Sequence, residues 1–481
     1  MTKRPSGGTR NGDHAAESKS PSTRRVGHAN AAGSGAGAMA IAGKWTFAAV
    51  ALIATPAVAQ DREGLDLSGT MRLRYEAIAN QPRAGFGRDD DLVNLRTTLL
   101  AKYQTGPFTI GAELWDSRVY GEDAATPVTT GEVNAFELVQ AWVGARATIG
   151  STKLSAQAGR FTLNIGSRRL VAADEYRNTT NGYTGLRADL ATASGITATA
   201  IYVLPQQRRP DDAEALRANA VAFDHEGFDL VLWGGTAAKA RALGPATIEA
   251  SFYHLGERDE PARPTRDRSL DTYGGRVFRD PAKGKADGEV EAFYQSGSIS
   301  ASLAPAAARL PVSAWFVHAS AGYSLRDPLN TRVSLQYDRA SGDRAGGRYG
   351  RFDTLYGMRR ADLAPAGLYN AVGRANISTP GARIEIAPSS RWDAFVTYHA
   401  LWLAERTDAF STTGVRDASG RSGGFAGHQI DSRFRWWLRP AKLRLELDGV
   451  LLTKGRFLQA ASNAPPGGTT TYGAINLSAS F

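Results

Sequence analysis

From Gln429 to the C-terminus the chain alternates with a period of two, and that pattern restricts the folds open to it. Ile430, Ser432, Phe434, Trp436 and Leu438 share one parity; Gln429, Asp431, Arg433, Arg435 and Trp437 share the other. After the Arg439-Pro440-Ala441 corner, Leu443, Leu445, Leu447, Gly449 and Leu451 oppose Arg444, Glu446 and Asp448. A period of two is the signature of β-strands, because successive side chains point to opposite faces of a sheet. Repeated along the chain and ending in Ile475-Asn476-Leu477-Ser478-Ala479-Ser480-Phe481, the pattern fits a sheet with lipid on one side and water on the other.

The rest of the chain carries the same alternation. Leu67, Met71, Leu73 and Tyr75 oppose Arg72, Arg74 and Glu76, and Val93, Leu95, Leu99 and Tyr103 oppose Asn94, Arg96 and Lys102. Short turns are predicted at Gly106-Pro107 and near Gly150, Gly195, Gly244, Pro281, Pro328, Pro388 and Pro440. They alternate with long polar loops at 79–90 and near 118–133, 162–181, 205–227, 255–270, 296–311, 340–368, 405–426 and 454–471. The expected fold is all-β: a transmembrane antiparallel β-barrel of about eighteen strands, with short periplasmic turns and long extracellular loops. The stretch 369–386 is the least regular, because Pro380-Gly381 interrupts it and a strand proline lacks a ladder donor.

Bulk properties are compatible with this fold. The chain has no cysteine, as suits an oxidising envelope, and a mean hydropathy of −0.31, as expected where only every second strand residue meets lipid. Trp45–Val58 is a short apolar run after Lys44, and Ala57-Val58-Ala59 reads as a cleavage site before Gln60. Residues 1–59 are therefore expected to be an extension plus signal peptide, with Met39 a conventional start, and residues 60–481 the outer-membrane barrel. The leader holds seven Lys/Arg and two acids, so the formal charge of +10 falls to +5 without it. No basic helix is present and arginines alternate with apolar residues, which excludes nucleic acid as the expected partner. The partners expected are outer-membrane lipid and lipopolysaccharide. No metal-ligand spacing or cofactor motif stands out.

Arginine is concentrated on the lumen parity, at Arg72, Arg74, Arg96, Arg187, Arg332, Arg433, Arg435 and Arg444. Glu76, Glu113, Asp189, Asp338, Asp431, Glu446 and Asp448 share that parity. Two roles fit: cross-strand ion pairs that stiffen the wall, or unpaired guanidinium groups that line an anion path. The segment Gly159–Leu186 clusters Arg160, Arg168, Arg169 and Arg177, with Asn178 beside them. It is either a solvated loop or a constriction folded into the lumen. An outer-membrane hydrolase is the rival class, with His399, Ser341 and Asp343 as its candidates, but no motif ties them together.

Four blocks resemble the alginate export porins of the bacterial outer membrane. The first holds Gly159-Arg160, Ile165-Gly166-Ser167, Arg169-Leu170-Val171, Tyr176-Arg177-Asn178 and Tyr183-Thr184-Gly185. Ser341-Gly342-Asp343 then precedes Phe352-Asp353-Thr354-Leu355-Tyr356, Gly367 and Asn370; Tyr398–Ala404 precedes Asp408; and Gly427–Asp431 leads to Lys454-Gly455-Arg456-Phe457. The resemblance implies an eighteen-strand barrel whose arginine-rich constriction passes a polyuronate. Uptake of acidic oligosaccharides or other small anions is equally consistent with it, and a periplasmic scaffold is a further partner to consider.

Overall fold

The computed structural model describes residues 63–260, 263–360 and 362–481. The expected leader, residues 1–59, lies outside them. Eighteen strands follow in order: β1 (Gly64–Ala79), β2 (Asp90–Thr105), β3 (Phe108–Tyr120), β4 (Asn134–Ile149), β5 (Thr152–Thr162), β6 (Gly182–Ala191), β7 (Ile196–Pro205), β8 (Leu230–Leu243) and β9 (Ala246–Glu257). The second half holds β10 (Ser269–Arg279), β11 (Ala286–Ser300), β12 (Arg309–Ser324), β13 (Arg332–Ala340), β14 (Ile377–Ser389), β15 (Trp392–Trp402), β16 (Phe425–Arg439), β17 (Leu443–Lys454) and β18 (Thr470–Ser480). Two helical turns, α1 (Ala213–Arg217) and α2 (Arg456–Ala460), sit in long loops.

Every strand pairs antiparallel with the next, and β1 pairs with β18 from Thr70↔Ser480 to Ala79↔Thr471. The sheet therefore closes and leaves no edge, as hydrocarbon demands of backbone donors and acceptors. Burial is inverted relative to a water-soluble sandwich. Leu65 and Leu67 are 64% and 50% exposed, while Arg74 and Glu76 are each 1% exposed. Apolar side chains cover the outside and charged ones face the lumen. The seam is finished by Phe481, whose amide donates to the Gly69 carbonyl at 3.1 Å. Its ring lies where a side chain on residue 69 would stand: a Cβ there would be 2.5 Å from the ring.

Strand β14 runs through Pro380. Its ladder to β13 is continuous, with Tyr337↔Pro380, whereas the ladder to β15 skips Thr379 and Pro380 and resumes in the same register at Gly381↔His399. The missing proline N–H costs pairing on one side only.

The interior is not an empty tube. The loop after β5 and the loop after β13 fold inward and join along a parallel bridge at Val171↔Tyr356. Ala172 N donates to Tyr356 O at 3.1 Å, Tyr356 N to Leu170 O at 2.9 Å and Met358 N to Arg168 O at 3.0 Å. Leu163, Leu170, Val171, Phe352, Leu363 and Tyr369 are buried there, so the two loops share a small apolar core inside a polar lumen.

Candidate pore lining

The β-ladder dictates which charges meet. Arg72 lies opposite Arg96 on β2 and Ser478 on β18; Arg74 lies opposite Asn94 and Asn476. Two arginines abreast repel unless something between them accepts hydrogen bonds. The inward loop supplies it. Arg72 donates to the carbonyl oxygens of Glu175 (3.1 Å), Tyr176 (3.2 Å) and Arg177 (2.7 Å) and to Asn178 Oδ1 (3.3 Å). Arg96 donates to Glu175 O at 3.2 Å and Arg177 O at 3.1 Å. Arg74 donates to Tyr176 O and Asn476 Oδ1, pairs with Glu76 at 3.2 Å, and stacks 4.1 Å from the Tyr176 ring.

Asn178 completes this anchor. Its amide donates to Leu95 O (3.3 Å), Arg118 O (3.0 Å) and Glu132 O (2.8 Å), and its carbonyl accepts from Ser117 Oγ at 2.8 Å. The Tyr176 hydroxyl lies 3.0 Å from the Tyr472 hydroxyl and donates to Asp448 at 3.3 Å. Residues 175–178 are thus bound to β1, β2, β3, β17 and β18 at once.

The far side of the plug is held by ion pairs. Arg169 is 5% exposed and reaches Asp362 at 2.8 Å, Glu291 at 2.5 Å and Glu289. Arg360 pairs with Asp431 at 2.9 Å and with Asp448, and Arg374 pairs with Asp362 and donates to Met358 O at 2.6 Å. Sequence reasoning missed Tyr176, Arg360, Asp362 and Arg374 as contributors to the lumen, because loop residues have no parity to read.

The remaining predicted residues are dispersed. Arg160 bridges Glu137 (2.8 Å) and Glu226 (2.6 Å). Arg187 pairs with Asp189 at 2.8 Å, Arg332 with Glu385 at 2.7 Å and with Asp287, and Arg435 with Asp393 at 2.8 Å. Arg433 lies 3.9 Å from the same Asp393 and 4.8 Å above Phe395, and Arg444 lies 3.4 Å from Glu446. Arg177 approaches Asp174 at 3.0 Å and donates to Asn181 at 2.6 Å, and Arg168 is exposed, 3.9 Å from Glu175.

A second group is loosely compensated. Arg83, Arg208 and Arg359 form no ion pair among the described residues. Arg83 lies over Phe86 and Arg208 donates to Thr130 O and Thr180 O, but the Arg359 guanidinium makes no hydrogen bond among the described residues. Burial pushes Arg83, Arg208 and Arg359 down to about 10; Arg177 adds to this at Arg208, and Arg177, Arg83 and Arg374 add to it at Arg359, with Asp174 opposing. All three still carry full charge at neutral pH. On the loop after β7, burial and the nearby Glu137 push Asp224 up to about 6.

The catalytic candidates stand apart. His399 is hydrogen-bonded with Gln336 and Thr379, both at 3.2 Å, and the Ser341 hydroxyl accepts from Trp315 N at 2.8 Å; no hydrogen bond joins Ser341 to His399 among the described residues. His225, Asp229 and Glu260 lie close enough together to hold a metal ion. Arg263 already fills that space, 2.5 Å from Asp229 and 3.1 Å from Glu260.

A closed eighteen-strand barrel with a charged lumen, apolar outer face and inward loops is a porin-like channel of the bacterial outer membrane. The chain belongs to the alginate export family, whose pattern matches residues 64–466. No curated protein matches it in sequence. Among solved structures it is similar to OpdK of Pseudomonas aeruginosa, with a TM-score of 0.54, 12% identity, and coverage of 86% of this chain and 98% of OpdK. It is also similar to OccK2 (OpdF) of the same organism in complex with glucuronate, with a TM-score of 0.53, 12% identity, and coverage of 86% and 96%. OccD3 (OpdP) gives 0.53, 14% identity, and coverage of 87% and 91%. These likenesses define the fold. The family and fold are those of transport porins.

Proposed function

We propose that the chain conducts acidic saccharides passively across the outer membrane, an alginate-like polyuronate or its oligomers, through an arginine-lined lumen. The observation that carries this reading is the set of guanidinium groups with no carboxylate partner among the described residues: Arg72 and Arg96 on the wall, and Arg83, Arg208 and Arg359 on the loops after β1, β7 and β13. Planar forks of this kind match carboxylates, and several weak sites in succession let a polyanion both enter and leave. Membership of the alginate export family and the glucuronate complex of OccK2 support the same substrate chemistry.

The predicted lining set divides in this reading. Arg160, Arg169, Arg187, Arg332 and Arg435, each matched to an acid, set the shape of the path. Arg168, Arg177, Arg433 and Arg444 contribute field to it, and Arg74 and Asn178 hold the loop that narrows it.

A general uptake channel for small anions is the second reading. It is favoured by the OpdK structure with vanillate, a small carboxylate. Lipopolysaccharide around the barrel and a periplasmic scaffold below it are the partners that fit this placement.

Planar-bilayer recording tests the proposal. The purified barrel is expected to prefer anions and to be blocked by oligouronates. A cation-preferring channel that oligouronates leave unblocked would remove it. Block by monocarboxylates alone would select the second reading.

A further inference from the structure

Just inside the end that carries the short turns lies a cavity of about 220 Å³, lined by Thr70, Arg72, Arg96, Trp437, Arg444 and Ser480, with Lys442 and Ser478 beside them. Ala441 and Lys442, which belong to the β16–β17 turn, place it at the periplasmic mouth. By strand parity Trp437 and Arg444 face the lumen, paired across β16 and β17. The cavity combines an aromatic face, guanidinium groups and hydroxyls. These are what a carboxylated sugar ring presents partners for: an apolar ring face, a carboxylate and hydroxyls.

Three features mark the guanidinium groups around it as under-compensated by the protein. The Nε atoms of Arg72, Arg96 and Arg444 are buried and have no hydrogen-bond partner among the described residues. Arg72 is only 5% exposed, so water does not freely make up the deficit. Arg72 and Arg96 face one another across the β1–β2 ladder with loop carbonyls and the Asn178 amide oxygen as their acceptors and no ion pair among the described residues.

The stretch of rim from β10 to β17 is mainly basic. On the four turns between β10 and β17 and the strand ends beside them, Lys283, Lys285, Arg326, Arg391 and Arg439 are exposed, against one exposed acid, Asp280. Asp327 is tied down by Thr331, whose amide donates to it at 2.8 Å. A predominantly basic stretch of rim leading to basic groups inside a low-dielectric opening focuses field lines and raises the local concentration of anions.

Building on the anionic-saccharide reading above, we propose that this cavity is a binding subsite for one uronate-type residue of the solute. Its ring lies on Trp437, its carboxylate meets Arg444 and Arg96, and its hydroxyls meet Thr70 and Ser480. The subsite is loaded from the periplasmic side, and the basic rim raises the encounter rate there.

Single barrels inserted in one orientation test this with a tetramer of galacturonic acid, with maltotetraose as the neutral control. Tetramer added on the periplasmic side is expected to block at a higher rate than from the other side, and that rate is expected to fall as salt rises. Trp437→Ala and Arg444→Gln are each expected to shorten the blocked time about tenfold, the cost of one charge-assisted or stacking contact. Arg444→Gln, a neutral change at a half-buried position, carries the test if Trp437→Ala does not assemble. Lys283→Glu with Lys285→Glu is expected to lower the periplasmic block rate and leave the blocked time alone.

Blocked times equal to the parent's in the subsite variants would overturn the proposal, as would equal block by maltotetraose. A parent channel that the tetramer blocks equally from both sides would remove the loading direction. A parent that the tetramer never blocks would overturn the anionic-saccharide reading itself, and the subsite with it.

Discussion

Arg359 lies within electrostatic reach of Arg83, Arg177 and Arg374, with Asp174 opposing them. Arg169 has the opposite surroundings, with Glu289, Glu291 and Asp362 all in contact. The same residue type is therefore a free charge at one position and a structural bolt at the other. Arg359→Glu inverts a charge that forms no ion pair among the described residues and is expected to shift the reversal potential in a salt gradient toward cations. An unchanged reversal potential would move Arg359 out of the conduction path. Asp224 gives a pH prediction on the loop after β7. Its folded-state value, pushed up to about 6, lies above the ordinary carboxyl value, so the folded loop binds the proton more readily than the unfolded one. Stability then rises as pH falls from about 7 toward 4 and is lost as pH climbs through 6. Proteolysis of residues 206–229 is expected to be slower at pH 5 than at pH 7.5, and Asp224→Asn is expected to abolish the difference.

At the scale of elements, the segment 163–181 is pinned inside the barrel, because its tip is bonded to five strands. Asn178 alone joins β2, β3 and the loop after β3. Asn178→Ala leaves those buried carbonyls and one Arg72 donor short of a partner, while the Ser117 bond to the backbone carbonyl of residue 178 remains, at a cost on the order of 1–3 kcal/mol. The expected result is a noisier open-channel current with intermittent higher-conductance steps; a quiet trace at parental conductance would show that the remaining anchors suffice. Much of the strand framework was legible beforehand, since parity is a property of every second residue and survives weak individual signals. Leu67 against Arg72 and Ile430 against Asp431 fall on the faces their spacing assigns. The inward loops were not legible in the same way. Arg169 and Asp362 are 193 residues apart, and nothing local marks them as partners. Pro380 was the reverse case: a local signal against a strand, overridden because β13 pairs with the stretch on the side that needs no proline donor.

For the molecule as a whole, closure is the step on which every other interaction depends. An open sheet of these strands would present unpaired backbone to hydrocarbon along both edges. The β1–β18 seam joins the two ends of the strand sequence, and it is extended by the exchange of bonds between Gly69 and Phe481. Gly69 has a second duty there. Its missing side chain admits the Phe481 ring, and a Cβ would also approach the Thr98 carbonyl on β2 at 2.7 Å. Gly69→Val therefore forces either the ring or the β1–β2 ladder to move, and overpacking of this kind costs about 1–3 kcal/mol. The cost falls on the seam, so it should appear as a lower temperature for loss of the compact, heat-modifiable band on gels, with little change in selectivity, because the lumen charges lie on the other face of β1. Removing the Phe481 ring as well, in Gly69→Val with Phe481→Ala, relieves the clash and is expected to recover part of that temperature. A double variant no more stable than Gly69→Val would show that the ring is not what the glycine accommodates.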